Sequence, residues 1–415
     1  MTMRKILIPL LYMFIPICLC DVHSQTNRPA TEKNVERSER YKQYQQTIEE
    51  AKKKLSSDPE NGDLMILIAN NYAWQEKNDS ALIYIDKAQQ IKYYNNDLFD
   101  SWLNVLLWSH QYEKLIETIK IARQYNYTNN ENILRKQLIA YTELKEYNEG
   151  VKLAESPENK ELINIEDISY LYNNLLLKRN TNAITALYSL DFFDSYAPQH
   201  LASIGYSLPV SKHTLAVRLN YAKRFGNDDV QIESDFYYQL KNKSYMYFNY
   251  GYAFNASLFP EHRLGYEYYL PLKHKMETSL GARYLSYTNS KVFILTGHIE
   301  KYMGRSWLAL RPFYAIQKNF TALTLIGNYR LYGKNPFNYW GIELGYGNSP
   351  DDSYANILNA TYNDLKAYRV KLEKNIAINR ISDLRIGIGY SREEFKSGDY
   401  RNRYLIELGY KFRFK

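Results

Sequence analysis

The chain has 415 residues and a formal net charge of +8, and 45% of its residues are hydrophobic, 24% charged and 15% aromatic. This length suits two or three domains, and the mean hydropathy of −0.53 excludes a membrane protein built of long apolar helices. The basic residues are spread along the chain rather than clustered, which argues against binding to nucleic acid.

The first 24 residues have the features of a secretory signal peptide. Two basic residues precede an apolar run over 6–20, and Val22 and Ser24 fit the minus-three and minus-one positions of a cleavage site before Gln25. The only two cysteines lie in this segment, and neither follows the small residue that lipid modification requires. The mature chain is therefore predicted to be exported without cysteine, which excludes disulfides, thiolate metal sites and a cysteine nucleophile.

Residues 25–39 are polar and charged and show no periodic apolar face, so we predict a flexible leader. From 40 to 180 the pattern is helical and returns at intervals of about 34 residues. The small, aromatic, small and small positions of a tetratricopeptide repeat (TPR) are occupied in one unit by Ala69, Tyr72, Ala81 and Ala88. Each helix pair leaves an apolar face that only a neighbouring pair can cover, which predicts a TPR-like α-solenoid that contacts other proteins. An unrelated helical bundle is the alternative.

From about residue 182 the apolar pattern changes to a period of two, as in β-strands with one apolar face. The segments are about ten residues long, which matches tilted strands that cross a bilayer. The predicted strands lie near residues 182–190, 199–208, 214–225, 230–240, 244–253, 262–270, 275–286, 291–302, 306–314, 321–332, 338–347, 365–375, 383–393 and 402–414. The predicted fold class is α plus transmembrane β, with residues 182–415 forming an antiparallel barrel of about 14 strands, within about 12–16.

The last predicted strand, 402–414, carries the clearest sign of a membrane barrel, because apolar side chains alternate there with polar and charged ones. Within it, the residues that resemble the assembly signal of outer-membrane barrels are Glu407, Gly409, Phe412 and Phe414. A soluble edge strand is the alternative. An unpaired edge in lipid would leave backbone polar groups unsatisfied, so this strand is predicted to pair with the first one, 182–190.

Loop lengths indicate the orientation of the barrel, since outer-membrane barrels keep periplasmic turns short. The tight connections at 241–243 and 303–305 follow even-numbered strands, whereas the longest connection, 348–364, follows an odd-numbered one. We therefore predict a protein of the outer membrane of a Gram-negative bacterium, with the helical domain in the periplasm.

The strand half also contains short motifs of a known family. They comprise Phe259, Pro260, His262, Arg263, Leu264, Gly265 and Glu267, then Gly281, Arg283 and Tyr284, then Lys301, Tyr302, Gly304 and Trp307, and then Gly345, Gly347, Ser349, Pro350, Asp351 and Asp352. On these residues the region from about 185 to 415 resembles the YaiO-type outer-membrane barrel proteins, which join a periplasmic repeat region to a barrel. The resemblance implies a protein embedded in the membrane and implies little about activity.

Five histidines of the strand half are candidates for general bases. They are His200, His213, His262, His274 and His298. The sequence contains no nucleophile elbow, no paired-histidine metal spacing and no phosphate-binding loop. We therefore predict no catalytic residue, metal site or cofactor, and we keep a barrel enzyme acting on surface lipid or glycan as a less favoured alternative.

Charged side chains in the strands are predicted to point into the lumen, because a charge on the lipid face costs roughly 2–4 kcal/mol at the midplane. The candidates for lining the lumen or binding a ligand are Arg263, Glu267, Glu277, Arg283, Arg311, Arg330 and Glu343. We expect neighbouring arginines to hold the carboxylates and to leave a positive surplus, with Arg263, Arg283 and Arg311 at a shared constriction. Opposite charges could instead pair and fill the lumen.

Two functions follow from these alternatives. In the first, the barrel is a conduit or assembly factor for export of an anionic glycan such as an exopolysaccharide, and in the second it is a non-conducting anchor and scaffold that recruits envelope proteins. The expected partners are outer-membrane lipid, the barrel-assembly machinery and a periplasmic or other envelope protein bound by the TPR-like domain. An anionic polysaccharide is the further partner of a conduit, and no nucleic acid is expected.

Overall fold

In a computed structural model of the protein, the described residues are 30–415 except 195, 319, 334, 336, 348–366 and 397. The chain divides between Arg179 and Asn180 into a helical unit and a barrel unit. The predicted signal peptide, 1–24, and the part of the family motif at 349–352 lie outside the described residues.

The helical unit consists of eight α-helices in the part of the chain that the structure describes. They span Ala30–Ser57 (α1), Gly62–Trp74 (α2), Asn78–Gln90 (α3), Asn96–Trp108 (α4), Tyr112–Gln124 (α5), Asn130–Glu143 (α6), Tyr147–Ala154 (α7) and Glu166–Arg179 (α8), with 3₁₀ turns at Pro157–Asn159 and Leu162–Asn164. Across the described residues, no helix combines the length and the low polarity that a membrane span requires.

Three consecutive helix pairs each begin with an asparagine cap, and these asparagines are 34 residues apart. The side chains of Asn61, Asn95 and Asn129 cap α2, α4 and α6, each accepting a hydrogen bond from a backbone N–H three residues later. The pairs α2–α3, α4–α5 and α6–α7 therefore repeat with one period. This spacing agrees with the TPR-like solenoid predicted from the sequence.

The flexible leader predicted for residues 25–39 is helical from Ala30 onward, because α1 begins there. Its Glu, Lys, Arg and Gln side chains are good helix formers, since straight side chains lose little rotamer freedom in a helix. Its buried residues Ile48 and Ala51 pack with Ile68 of α2. The absence of an apolar face near the start of α1 therefore did not indicate disorder.

A partly buried polar network joins α4 to α6. The Asp100 carboxylate accepts hydrogen bonds from the Tyr127 hydroxyl and, at 2.7 Å, from the Asn132 side-chain amide. The Asn132 carbonyl oxygen accepts one from the Lys136 ammonium at 2.5 Å. Burial lowers the pKa of Lys136 to about 8. The nearby Asp100 carboxylate raises this pKa, and the Arg135 guanidinium lowers it further.

We expect the helical unit to gain stability as the pH rises above 8. Below the folded pKa of about 8, Lys136 is protonated in both the folded and the unfolded state. Between this value and the unfolded pKa of about 10.4, the unfolded state binds more protons, so the free energy of unfolding should rise by up to about 3 kcal/mol.

The measurement is urea unfolding of residues 40–180, followed by circular dichroism between pH 7 and 10. The variant Lys136→Met is the control, because it carries no charge at this position while all tyrosines titrate as before. Parallel pH profiles for the wild type and the variant would contradict the prediction.

Fourteen antiparallel strands form a closed barrel. They span Asn182–Phe193 (β1), Tyr196–Val210 (β2), His213–Arg224 (β3), Asn227–Gln239 (β4), Tyr245–Ala253 (β5), His262–Leu272 (β6), Met276–Tyr287 (β7), Ser290–Met303 (β8), Ser306–Gln317 (β9), Phe320–Tyr332 (β10), Tyr339–Tyr346 (β11), Ala367–Ala377 (β12), Ser382–Lys396 (β13) and Asp399–Phe414 (β14). The predicted fold class and strand number are confirmed.

The barrel closes by pairing of its first and last strands. β1 and β14 are antiparallel, with Asn182 opposite Phe414 and Phe193 opposite Arg403. This is the closure predicted from the sequence, and it satisfies the backbone groups that a free edge would leave without partners.

Side chains alternate between the two faces of the barrel wall, as the strand geometry requires. Leucine, isoleucine, tyrosine and phenylalanine dominate the exposed outer face, with Leu280 75% exposed and Trp340 61% exposed. The inner face carries the charged residues, which are buried. The outer surface is thus suited to lipid.

The two rims of the barrel differ in their connections. We call the rim where β1 begins and β14 ends the terminal rim, and the opposite one the loop rim. At the terminal rim the connections are short, such as 211–212 between β2 and β3 and 304–305 between β8 and β9. The longest connection, between β11 and β12, is at the loop rim, and nearly all of it lies outside the described residues.

Candidate functional site

The lumen of the barrel is the candidate site, because it brings together the charged residues selected from the sequence. Arg263, Glu267, Arg283, Arg330 and Glu343 point inward and are at most 7% exposed. The side chains of Arg311 and Glu277 also point inward and are 20% and 19% exposed. Alternation along each strand explains the shared direction, but the partners of each side chain depend on how the barrel curves.

One ion-pair cluster lies on β3, β4 and β6. Arg218 Nη2 is 3.1 Å from Glu233 Oε1 and 2.8 Å from Asp235 Oδ2. Arg263 Nε is 3.5 Å from Glu233 Oε1 and donates a hydrogen bond to Asn249 Oδ1 at 3.2 Å. Asn249 in turn donates to both carboxylates at 2.8 Å. In this cluster two guanidinium groups therefore compensate the charges of two carboxylates.

A second cluster surrounds Glu267 of β6. Its carboxylate receives Arg311 Nη1 from β9 at 2.8 and 3.0 Å, and the Ser279 hydroxyl of β7 also donates to it. The guanidinium groups of Arg283 and Arg311 lie 5.5 and 6.0 Å from the centre of the Phe313 ring. Because β6 and β9 are not neighbours, the Arg311–Glu267 pair spans part of the lumen.

A third cluster uses the assembly-signal residue Glu407. Lys371 Nζ of β12 is 2.6 Å from Glu407 Oε1 of β14, and Arg385 Nε of β13 is 3.5 Å from the same oxygen. The lysine crosses β13 at Gly387, where an added Cβ would lie 2.6 Å from Lys371 Cε. A glycine at this position therefore allows the lysine to reach across the intervening strand.

Two further candidates are held in ion pairs, Arg330 across one intervening strand and Glu343 with a residue of the neighbouring strand. Arg330 Nη2 is 3.2 Å from Glu373 Oε1, and its guanidinium lies 4.8 Å from the Trp307 ring and 4.6 Å from the Tyr339 ring. The carboxylate of Glu343 is 3.9 Å from Arg369 Nε. Both candidates therefore have partners inside the lumen.

A fourth cluster joins the first and last strands near the loop rim, and its acidic residues were not selected from the sequence. Asp191 of β1 is 2.5 Å from Arg224 Nη2 of β3 and receives Arg403 of β14 through two hydrogen bonds of 2.9 Å. Arg401 and Arg403 both reach Glu393 at 3.2 Å. Alternation along β1 and β13 was the signal that could have identified these residues.

The loop between β5 and β6, residues 254–261, is held at the loop rim by Asp229. The carboxylate of Asp229 accepts hydrogen bonds from the backbone N–H groups of Asn255, Ser257, Leu258 and Phe259 at 3.0–3.3 Å. The loop side chains Leu258 and Phe259 pack with the inward-facing residues Leu201, Ala222 and Ala253. Part of the family motif thus contributes apolar side chains that occupy the lumen.

The surplus of positive charge on the inner face is smaller than predicted among the described residues. Alternation along the predicted strands assigns eleven basic and seven acidic residues to the inner face. This set omits five inward acidic residues and two inward basic ones. The acidic residues are Asp191, Asp229, Glu300, Asp383 and Glu393, and the basic ones are Arg224 and Arg401. Including them brings acidic and basic groups close to balance, and most of the ions are paired.

Of the three arginines predicted at a shared constriction, two contact a common aromatic ring and the third contacts other residues. Arg283 and Arg311 share Phe313, whereas Arg263 contacts Glu233 and Asn249. The expectation that a neighbouring arginine holds Glu277 is wrong, because its partners are the Tyr245 hydroxyl at 3.1 Å and His298 Nε2 at 4.0 Å.

The remaining assembly-signal residues lie near the terminal rim. The Cβ position of Gly409 is 3.3 Å from Leu187 Cδ1 and 3.4 Å from Arg385 Nη2, which limits the room at this site. The Phe412 and Phe414 rings stack with centres 5.9 Å apart. Their part in assembly stays a prediction.

The five histidines differ in their surroundings. The side chains of His200 and His262 contact tyrosine hydroxyls at 2.6 and 3.2 Å, and the His213 ring stacks on Tyr238. His274 lies in a turn with positive φ. Only His298 of this group is buried in the lumen between carboxylates.

The charged side chains of these clusters are almost completely shielded from solvent. Arg218, Glu233, Asp235, Lys371 and Glu407 are at most 2% exposed, so water reaches hardly any of their surface. Charged groups that line an aqueous pore are hydrated. In this structure the clusters cross-link the strands.

Comparison with known proteins identifies the barrel. Residues 181–352 match the family model described as "YaiO membrane beta barrel domain". The chain therefore carries a YaiO-type outer-membrane β-barrel preceded by a helical region, as its motifs predicted. No curated protein matches the sequence significantly.

Three solved structures resemble the barrel. A bacterial polysaccharide outer membrane secretin is 14% identical with a TM-score of 0.40, covering 57% of this chain and 99% of its own. The KdgM porin is 10% identical with a TM-score of 0.30, covering 56% and 99%. The outer membrane protein Omp33 of Acinetobacter baumannii is 11% identical with a TM-score of 0.37, covering 57% and 98%. Similarity at this level carries no argument about function.

Proposed function

We propose that the protein is a non-conducting outer-membrane anchor that presents its helical repeats in the periplasm to another envelope protein. The observation that carries this proposal is the burial of the lumen charges. A conducting lumen would expose Arg218, Lys371 and Glu407 to water, yet each is at most 2% exposed.

The energetics of the ion pairs support a closed resting state. Separating one partner from a buried pair costs about 3–5 kcal/mol, because the remaining charge is left without compensation. Opening the lumen would separate several pairs, including Lys371–Glu407 at 2.6 Å and Arg218–Asp235 at 2.8 Å. The closed barrel is therefore favoured unless a partner compensates these charges.

The periplasmic orientation is supported by the rims. The helical unit precedes β1, so the chain enters the barrel at the terminal rim, where the described connections are short. Short turns face the periplasm in outer-membrane barrels. By this criterion the helical unit would be periplasmic and the loop rim would face outward.

Exposed aromatic residues on the helical unit support a protein partner. Trp74 and Trp108 end α2 and α4 at equivalent positions, 34 residues apart, and are 48% and 46% exposed. Tyr125 after α5 is 49% exposed. Tryptophan and tyrosine are enriched among residues that dominate binding energy in protein interfaces. We therefore assign partner binding to this unit and membrane retention, after insertion by the barrel-assembly machinery, to the barrel.

A conduit or assembly factor for an anionic glycan is the second candidate. The width of a 14-strand barrel favours it, since such a barrel has room for a passage once side chains and loops rearrange. The arginines of the lumen would then meet the polysaccharide. Enzymatic activity on lipid or glycan, a cofactor and a nucleic-acid partner form no part of either proposal.

Planar-bilayer recordings separate the two candidates. We expect the purified full-length protein to insert without stable conductance steps, because the ion pairs and the loop 254–261 fill the lumen. The double variant Lys371→Ala/Glu407→Ala removes both ends of one pair and leaves the net charge of the lumen unchanged, although Arg385 also loses its contact with Glu407. It should conduct more than the wild type.

Residues 180–415 alone are the control for any effect of the helical unit. If neither the full chain nor this segment conducts, the result supports the proposal that the protein is a non-conducting anchor. Anion-selective steps in the wild type would overturn the anchor and support the conduit.

A further inference from the structure

We propose that Glu277, His298 and Glu300 form a binding site for a divalent transition-metal ion, with Zn²⁺ as the probe that fits the ligand set. The site lies inside the barrel near the terminal rim, on β7 and β8. One potential ligand atom from each residue lies within 4.8 Å of the other two. The proposal is independent of whether the barrel conducts.

The distances are close to those of a metal site. His298 Nε2 is 3.2 Å from Glu300 Oε2 and 4.0 Å from Glu277 Oε1. Tetrahedral Zn²⁺ with bonds of about 2.0–2.1 Å holds its ligand atoms about 3.3 Å apart. The first pair is already at this separation, and a rotation of the Glu277 side chain would close the second.

The imidazole is oriented by groups on its other side. His298 Nδ1 is 2.7 Å from the Ser279 hydroxyl oxygen, and that hydroxyl donates to Glu267. The Tyr269 ring packs with its centre 5.3 Å from that of the imidazole. A metal-binding histidine commonly has its second nitrogen held by such a polar partner, which fixes the direction of the ligating one.

The strand register provides an independent reason for a cation. Glu277 and Glu300 stand directly opposite each other in the β7–β8 pair, and like charges in this position are destabilising. Glu233, Glu267 and Glu407 all have arginine or lysine partners. Among the described residues, the only ionisable base within ion-pair distance of Glu277 or Glu300 is His298. A bound divalent cation would supply the missing positive charge.

The donor set selects the class of metal. One imidazole nitrogen with carboxylate oxygens suits Zn²⁺ and related first-row ions, whereas Mg²⁺ and Ca²⁺ prefer six or more oxygen ligands. The Tyr245 hydroxyl donates to Glu277 at 3.1 Å, and metal-binding carboxylates commonly have such a hydrogen-bonding partner. Three protein ligands leave a fourth position for water.

The test is zinc titration of the full-length, tag-free protein in detergent against a chromogenic chelator. We expect one Zn²⁺ per chain, with affinity reduced at least about tenfold in each of Glu277→Gln, His298→Gln and Glu300→Gln. The matched control is Glu343→Gln, an inward carboxylate that pairs with Arg369 elsewhere in the lumen, and its affinity should equal that of the wild type. Heat modifiability in gels shows which variants have folded.

X-ray absorption of the zinc-loaded wild type keeps the proposal testable even where a variant does not fold. The expected spectrum has one imidazole nitrogen and oxygen ligands at about 2.0–2.2 Å. Absence of zinc binding in the wild type would overturn the proposal. So would equal affinity in folded Glu300→Gln and wild type, since the three side chains would then be joined by a proton on His298 rather than by a metal.

Discussion

Replacing Asp191 with asparagine should destabilise the barrel by about 3–5 kcal/mol, because it removes the acidic partner of two buried arginines. Asp191 is fully buried, and it contacts Arg224 at 2.5 Å and Arg403 at 2.9 Å. These contacts connect β1, β3 and β14 across the closure of the barrel. The effect should appear as a lower midpoint of urea unfolding in lipid vesicles and a lower temperature of heat modification.

The matched control for this prediction is Asp228→Asn. Asp228 lies at the start of β4, and its side chain is exposed, so the same chemical change should alter stability by less than about 0.5 kcal/mol. Equal midpoints for Asp191→Asn and Asp228→Asn would show that the buried cluster contributes nothing to closure.

Replacing Asp229 with alanine should release the loop 254–261 from the lumen. The Asp229 carboxylate accepts four backbone hydrogen bonds from this loop, and a hydrogen bond to a charged group contributes about 1.5–3 kcal/mol. Since each 1.4 kcal/mol is a factor of about ten in an equilibrium, loss of even one bond should raise the open population about tenfold or more.

Cysteine labelling measures this release, because the sequence has no cysteine after residue 24. Leu258→Cys introduces a thiol at a position 3% exposed, and Phe254→Cys one at a position 61% exposed. A polar maleimide should label the first at least about ten times faster in the Asp229→Ala background and the second equally in both. Unchanged labelling at position 258 would mean that apolar packing alone holds the loop.

The sequence by itself was sufficient for the architecture of the barrel. Period-two alternation places every second side chain on the same face, so strands, their number and the inward direction of Arg263, Glu267 or Arg330 could be read locally. Closure of β1 on β14 followed from the cost of an open edge in lipid. The 34-residue spacing of Asn61 and Asn95 likewise needs no tertiary information.

The local sequence pattern did not predict contacts between residues that are distant in sequence. It also did not distinguish a polar helix from a flexible polar segment. The charged residues of α1 suggested a leader, although the same residue types form good helices. The set of inward charges predicted from the sequence did not include Asp191 and Glu393. It therefore overstated the excess of basic over acidic residues in the lumen. The predicted surplus of basic residues is therefore smaller once the described inner face is included.

Only the tertiary structure decided which charges meet and whether they are hydrated. Arg403 and Asp191 are 212 positions apart, yet closure makes them neighbours, and Lys371 reaches Glu407 only because Gly387 leaves space on the intervening strand. Strand register places Glu277 opposite Glu300. The spacing of residues along the chain does not predict this pairing. Alternation determines the face of a side chain from one strand alone, but pairing and burial depend on the distances between strands, which arise only when the barrel closes.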